Sequence, residues 1–287
     1  MNKKKRIMRI LAALTAFVLI GILLFFVNAF FGNPVSYLLA RHSATQYIEE
    51  NHPNSDFEIE GVSFFFDSTK YSVKIISPSS KDSCFTLKTD FFGRIKYNSY
   101  GTDVLKMENT KERINREYSD MVSAVFASPV FPYEIGFAYS KVNFSEEDSV
   151  TSDKTGVIFS DELILDKAYD MKYVGSKAGC VILEVYDEVT VENAAEILKK
   201  TKLLLSAADI TFNSIEFILR ERCIDDPINE KYIRIDEFPE AFIDSDELTE
   251  KIVQCMHVSD NYYDEIVSLP GEETTKDEKL ITTDKTE

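Results

Sequence analysis

The chain has 287 residues and a formal net charge of −17, with 49 acidic against 32 basic residues. A surface so acidic repels phosphate backbones and anionic headgroups, which excludes nucleic acid as an expected partner and favours small cations or basic peptide and protein faces. Phe (21) and Tyr (14) are plentiful and Trp is absent, so the core rests on Phe and Tyr.

The first nine residues, MNKKKRIMR, carry Lys3, Lys4, Lys5, Arg6 and Arg9 and no acid. The 22 residues Ile10–Phe31 (ILAALTAFVLIGILLFFVNAFF) then run without a charge. As a helix they would cover ~33 Å, enough for the ~30 Å hydrocarbon core of a bilayer. Basic residues beside a span resist translocation, so the head is expected in the cytoplasm, flanking the anchor, with residues 32–287 extracytoplasmic. A cleaved signal peptide is the alternative, and Val27-Asn28-Ala29 offers it a small residue. Its apolar region is usually only about 7–15 residues, so a retained single-pass anchor is preferred. A buried core helix would need a polar stripe, which is missing.

The remainder suits two domains: 32–128 and 129–270, with a disordered tail at 271–287. Asn33-Pro34 caps and starts a first outer helix that stops before Pro53. Phe57–Phe66, Tyr71–Ser77 and Cys84–Thr89 read as strands between polar turns, with Arg94–Tyr100 a weaker fourth. A helix over Thr102–Phe126 follows, lining Met107, Ile114, Tyr118, Met121 and Val125 on one face and turning KERINRE outward. Pro129 and Pro132 mark the domain boundary. In the second domain Glu134–Phe144 reads as extended and Ser145–Thr155 as a loop. Glu162–Leu165 reads as a short strand, Tyr169–Ser176 as a short helix and Cys180–Tyr186 as a central strand. Thr190 caps a helix with a stripe of Val191, Ala194, Ala195, Leu198 and Leu205. Phe212–Leu219 and Lys231–Ile235 are further strands, and Asp244–Glu247 has capping-box spacing before a helix with Ile252, Val253 and Met256. The tail GEETTKDEKLITTDKTE has almost nothing to bury. The expected class is α+β: a transmembrane helix, then a helix plus antiparallel meander, then a mixed sheet with helices on one face.

Two resemblances sharpen this. The first outer domain, with Asp90-Phe-Phe-Gly93 at a turn of its sheet, is loosely similar to PepSY-type extracytoplasmic domains. Read together, GNPVS at Gly32–Ser36, YIEE at Tyr47–Glu50, FEI at Phe57–Ile59 and NTKERINREY at Asn109–Tyr118 resemble the YfjL-like family of single-span proteins from Gram-positive bacteria. That resemblance extends over nearly the whole chain and implies a second α+β domain behind the first. It supplies no catalytic motif.

Motifs for chemistry are not found. Gly175-Ser-Lys-Ala-Gly179 has the wrong order for a nucleophile elbow, and no P-loop, HExxH or GxGxxG is present. His42, His52 and His257 are scattered rather than grouped as zinc ligands; His42 reads as a packed or interfacial residue and His52 as a helix-end residue. Cys255 and His257 would project about 200° apart on a helix, a poor catalytic pair. Cys84, Cys180, Cys223 and Cys255 lack disulfide-framework spacing: free buried thiols or one bridge fit. The acidic runs Glu146–Asp148, Asp225-Asp226, Asp236-Glu237, Asp244/Asp246/Glu247 and Asp260/Asp264/Glu265 spell no calcium loop and read as turns and caps. Asn143-Phe-Ser145 matches a glycosylation acceptor, relevant only in a eukaryotic secretory pathway. No catalytic, cofactor-binding or metal residues are therefore assigned. The expected function is a membrane-anchored, non-enzymatic binding or regulatory module, with the lipid bilayer and another envelope protein or peptide as partners. A cation-responsive acidic domain and an enzyme with an unrecognised site are the alternatives.

Overall fold

The structure, a computed structural model, describes residues 3–222 and 231–258. The expected tail at 271–287, Cys223, Asp225-Asp226 and Asp260/Asp264/Glu265 lie outside the described residues. The chain is α+β and divides into two compact units.

The first unit opens with α1 (Lys3–Phe31), whose stretch Ile7–Asn28 is long and apolar enough to cross a membrane. Gly32 and Asn33 separate it from α2 (Pro34–Asn51). The Asn33 side chain accepts from the Val35 N–H and Pro34 takes the first helical position, so the helix starts where the capping chemistry dictates. Four strands follow: β1 (Glu58–Phe65), β2 (Lys70–Ile76), β3 (Cys84–Thr89) and β4 (Ile95–Asn98). They form one antiparallel meander in sequence order. Alternation along β2 and β3 sends Tyr71, Val73, Ile75, Phe85 and Leu87 into a core with Ala40 and Ala44 of α2. The small alanines let the helix lie close over the sheet. His52 closes α2 by donating its backbone N–H to Ile48 O, and its ring stands among Tyr47, Phe57, Phe85 and Tyr100.

The helix expected over Thr102–Phe126 is broken. A π-helical turn at Gly101–Leu105 ends with the Lys106 N–H donating to Gly101 O, Met107 adopts φ 61°, and α3 begins only at Glu108 and runs to Phe126. Met107's left-handed backbone cannot continue a right-handed helix. The face also differs: Met121 is exposed, whereas Lys111 and Arg113 of the supposedly solvated KERINRE run are buried. They are buried because each finds carboxylates, Lys111 with Glu108 and Glu146, Arg113 with Asp82.

That pairing bears on how the chain divides. The sequence marks a boundary at Pro129, but the compact units divide after Ile114, within α3, and 146–152 and 159–168 return to the first unit. Arg113 donates Nε and Nη2 to the two Asp82 oxygens at 2.7 and 2.8 Å, and Nη2 also to Lys167 O at 2.9 Å. Asp82 and Asp166 exchange backbone N–H to carboxylate bonds, each 3.0 Å long. Residues 159–168 are thus held to the first unit through the Asp82 and Arg113 side chains, which are themselves buried. The expected strand at Glu162–Leu165 is absent; a 3-10 turn at Ser160–Glu162 stands there, and Asp166 takes φ 60°.

The second unit is built on a five-stranded mixed sheet, ordered β11-β10-β9-β8-β5, with β8 and β9 parallel and the other neighbours antiparallel. Its strands are β5 (Glu134–Val142), β8 (Gly179–Tyr186), β9 (Ser214–Arg220), β10 (Tyr232–Pro239) and β11 (Met256–Val258); β6 (Phe144–Ser145) and β7 (Ile158–Phe159) form a short separate ladder. The parallel pair is joined by α5 (Val191–Ala207), as a parallel crossover requires. Thr190 caps α5 through the Asn193 N–H, and the stripe Val191, Ala194, Ala195, Leu198 and Leu205 is buried as its spacing implies. α4 (Met171–Ala178), capped by Asp170, comes close enough for Gly175 to sit under Thr211 O, where a Cβ would be only 2.1 Å away. Tyr118 of α3 fills the space beside Gly175 and Gly179 and donates to Thr211 O at 2.8 Å. α6 (Leu248–Cys255) buries Leu248 and Ile252, but Asp244–Glu247 does not form a capping box: Ser245 Oγ accepts from the Glu247 N–H, and Asp244 instead pairs with Lys202. Met256 has left the helix and belongs to β11.

Candidate functional site

The outward face of the four-stranded sheet carries an open groove of about 580 Å³. Strand alternation builds it: residues between the buried positions of β2 and β3 point outward, so Lys70, Ser72, Thr86 and Lys88 form its floor. Register aligns one row across the sheet, Ser63 against Ser72, Ser72 against Lys88 and Lys88 against Tyr97. Lys88 Nζ stands 5.3 Å over the Tyr97 ring, fixing both groups on the open face. Phe65 and Asp67 line the β1 side of the groove.

The opposite wall is set by the π-helical turn. Ser99 Oγ accepts from the Thr86 N–H at 2.8 Å and donates to Asp103 Oδ2, while Thr102 Oγ1 lies 3.1 Å from Asp103 Oδ1. Asp103 is thereby held at the rim. The groove presents two ammonium groups, two carboxylates, several hydroxyls and two rings, all on rigid strands or an anchored turn. Such a surface can bind an extended polar segment of mixed charge by hydrogen bonds and ion pairs.

The residues singled out from sequence fall elsewhere. Lys3, Lys4, Lys5 and Arg6 belong to α1, with side chains outside the described residues; Arg9 is exposed on the same helix. His42 is exposed on α2, which removes the packed reading and leaves the interfacial one. His52 Nε2 is buried among rings without a hydrogen-bond partner, and burial lowers its pKa from 6.5. Cys255 ends α6 and is exposed, while His257 lies in β11 with Nε2 3.9 Å from Asp236. Several carboxylates of the acidic runs within the described residues are engaged. Glu146 meets Lys111 and Ser160, Asp148 accepts from the Val150 N–H at 2.8 Å, and Asp236 pairs with Arg234 at 2.9 Å. Bonds from Lys111 and Ser160 hold the Glu146 carboxyl below its ordinary range. Among the described residues no group of three His, Cys, Asp or Glu side chains is placed to hold a metal ion.

Sequence reasoning missed two polar features. The groove depends on cross-strand register, which is invisible until the strands are paired; alternation in KYSVKII and CFTLKT was its only trace. The second is Asp82, fully buried inside a Pro-Ser-Ser-Lys-Asp turn that looks solvated. Burial raises its pKa, but bonds from Arg113, Thr110 and the Asp166 N–H outweigh that and hold the carboxyl below its ordinary value. In the second unit Glu184 is similarly buried, in β8, and pairs with Arg220 Nη2 at 3.0 Å.

No curated protein and no solved structure matches the chain. Residues 4–99, which hold α1, α2 and the meander that frames the groove, match the YfjL-like N-terminal domain, and residues 117–253, which hold four of the five strands of the mixed sheet, match the YfjL-like C-terminal domain, so the chain belongs to the YfjL-like family.

Proposed function

We propose that this protein is a membrane-anchored, extracytoplasmic binding module whose first domain captures a segment of another envelope protein or peptide on the open face of its meander. The groove carries the proposal: a solvated sheet face with Lys70, Lys88, Asp67, Asp103 and Tyr97 suits an extended peptide bearing both signs of charge. Anchoring is supported by the apolar length of α1, and the outward orientation by the five basic residues that precede its apolar core. The role is read as binding because the charged groups and rings suit a peptide, and the Ser99–Asp103 hydrogen bond serves to hold the wall, Ser99 also accepting from the Thr86 N–H.

A photo-crosslinking residue at Tyr97, in the full chain in native membranes, tests it. A discrete protein or peptide adduct is expected, lost when Lys70→Glu and Lys88→Glu are combined. Absence of any adduct, or one indifferent to that charge reversal, would overturn the assignment.

A further inference from the structure

Several apolar side chains of the first unit remain exposed, and besides Leu105, Val150 and Ile164 a group of them lies where α1 ends. Phe66 is 63%, Phe92 71%, Val35 62% and Leu38 64% exposed. Exposed apolar residues scattered singly need no explanation, but a group at one end of a domain does.

The link between α1 and the sheet is tight. Gly32 adopts φ 78°, and a Cβ there would lie 2.8 Å from both Phe64 Cγ and Tyr71 Oη. The Asn33 N–H donates to Tyr71 Oη. The Phe30 ring, in the last turn of α1, is 6.1 Å from Phe66 beyond the end of β1. Phe64 in turn stands 6.0 Å from Phe91, in the β3–β4 turn, and Gly93 of that turn abuts Leu39 O of α2. The β1–β2 turn, the β3–β4 turn and the start of α2 therefore surround the point where α1 leaves the unit.

We propose that Phe66, Phe92, Val35 and Leu38 form a collar that inserts into the headgroup region of the bilayer at the C-terminal end of α1. The proposal rests on the reading of α1 as a membrane span. Lipid is the fitting occupant because the collar continues the apolar surface of α1. Val35 and Leu38 fall within the first ~8 Å of α2, comparable to the ~5–8 Å of polar headgroup region on each side of the hydrocarbon core. Arg94 stands 5.1 Å over the Phe92 ring, placing a cation above an apolar group as interfacial anchors do. Exposed Asp67 in the β1–β2 turn limits penetration to that polar layer.

The chain has no Trp, so a single introduced one reports its own surroundings. Phe66→Trp and Phe92→Trp are made in the full chain, reconstituted in phosphatidylcholine–phosphatidylglycerol vesicles with and without phosphatidylcholine brominated near the headgroup. Phe17→Trp within α1 reports the span. Lys81→Trp reports the far end of the β2–β3 hairpin, about 20 Å along the strands. Blue-shifted, bromine-quenched emission from Phe66→Trp and Phe92→Trp, with Lys81→Trp unquenched, supports the collar. Unquenched collar probes beside a Phe17→Trp quenched by deep-brominated lipid would refute the collar and leave the anchor standing. An unquenched Phe17→Trp would remove the span and the collar together, and equal quenching at Lys81 would refute a seat specific to this end.

Discussion

Replacing Arg113 by Met is expected to destabilise the first unit by about 3–5 kcal/mol, the usual cost of breaking a buried ion pair from one side. Asp82 is fully buried, and Arg113 supplies two of its hydrogen bonds at 2.7 and 2.8 Å. Its other donors, Thr110 and the Asp166 N–H, are neutral and cannot balance a carboxylate. Met fills similar volume without charge, so the loss reports electrostatics rather than a cavity. Lys74→Met is the control: its partner Glu60 is 2.7 Å away, but both side chains are about half exposed, and such pairs contribute at most ~1 kcal/mol. Amide hydrogen exchange of β2 and β3, with the full chain in detergent, gives the opening free energy of this unit without assuming that the whole protein unfolds at once. An Arg113→Met cost within about 1 kcal/mol, indistinguishable from Lys74→Met, would refute the reasoning.

Four further outcomes follow from the same structure. Thr69, exposed at φ 51° in the β1–β2 turn, is a β-branched residue in the left-handed region; Thr69→Gly should raise first-unit stability by about 1 kcal/mol in the same exchange measurement. Gly175→Ala should cost the second unit about 1–3 kcal/mol, read as faster exchange in β8, because its methyl would collide with Thr211 O. Burial lowers the His52 pKa from 6.5, so the unfolded chain gains its proton first as pH falls. Its contribution is intact above pH 6.5 and lost as pH drops through the lower folded value; a pH series of melting temperatures should lose that acid sensitivity in His52→Phe. Asp82 also titrates below its ordinary 3.8, so the stability it confers is complete above that pH and lost beneath it, a step absent in Asp82→Asn.

Much of the architecture was legible because local chemistry and global packing agree. Cys84–Thr89 is a strand to the residue, since alternation and flanking turns both define it. Asn33-Pro34 and Thr190 start their helices because a cap is a matter of two or three neighbouring atoms. What the sequence hid depends on partners far along the chain. Arg113 reads as solvated until Asp82, 31 residues away, turns inward to meet it. The break at Met107 lies in backbone torsion that a periodic apolar pattern does not register. The capping box at Asp244–Glu247 failed because Lys202, 42 residues away, claims Asp244. The groove was least legible, since its rows exist only once four strands are in register.

The bonds that bring residues 159–168 back to the meander also constrain how the protein is made. Asp166 and Lys167 complete the network around Asp82, so the first unit remains unfinished until that stretch has left the ribosome, by which time β5, β6 and β7 have all been synthesised. A fragment ending at residue 128 would keep the Arg113 and Thr110 donors of Asp82 but lose the two Asp166 bonds and the Lys167 carbonyl that Arg113 meets, and its behaviour would misreport the domain inside the intact polypeptide. Expression boundaries drawn for this family should therefore follow the spatial units rather than the linear order of the chain.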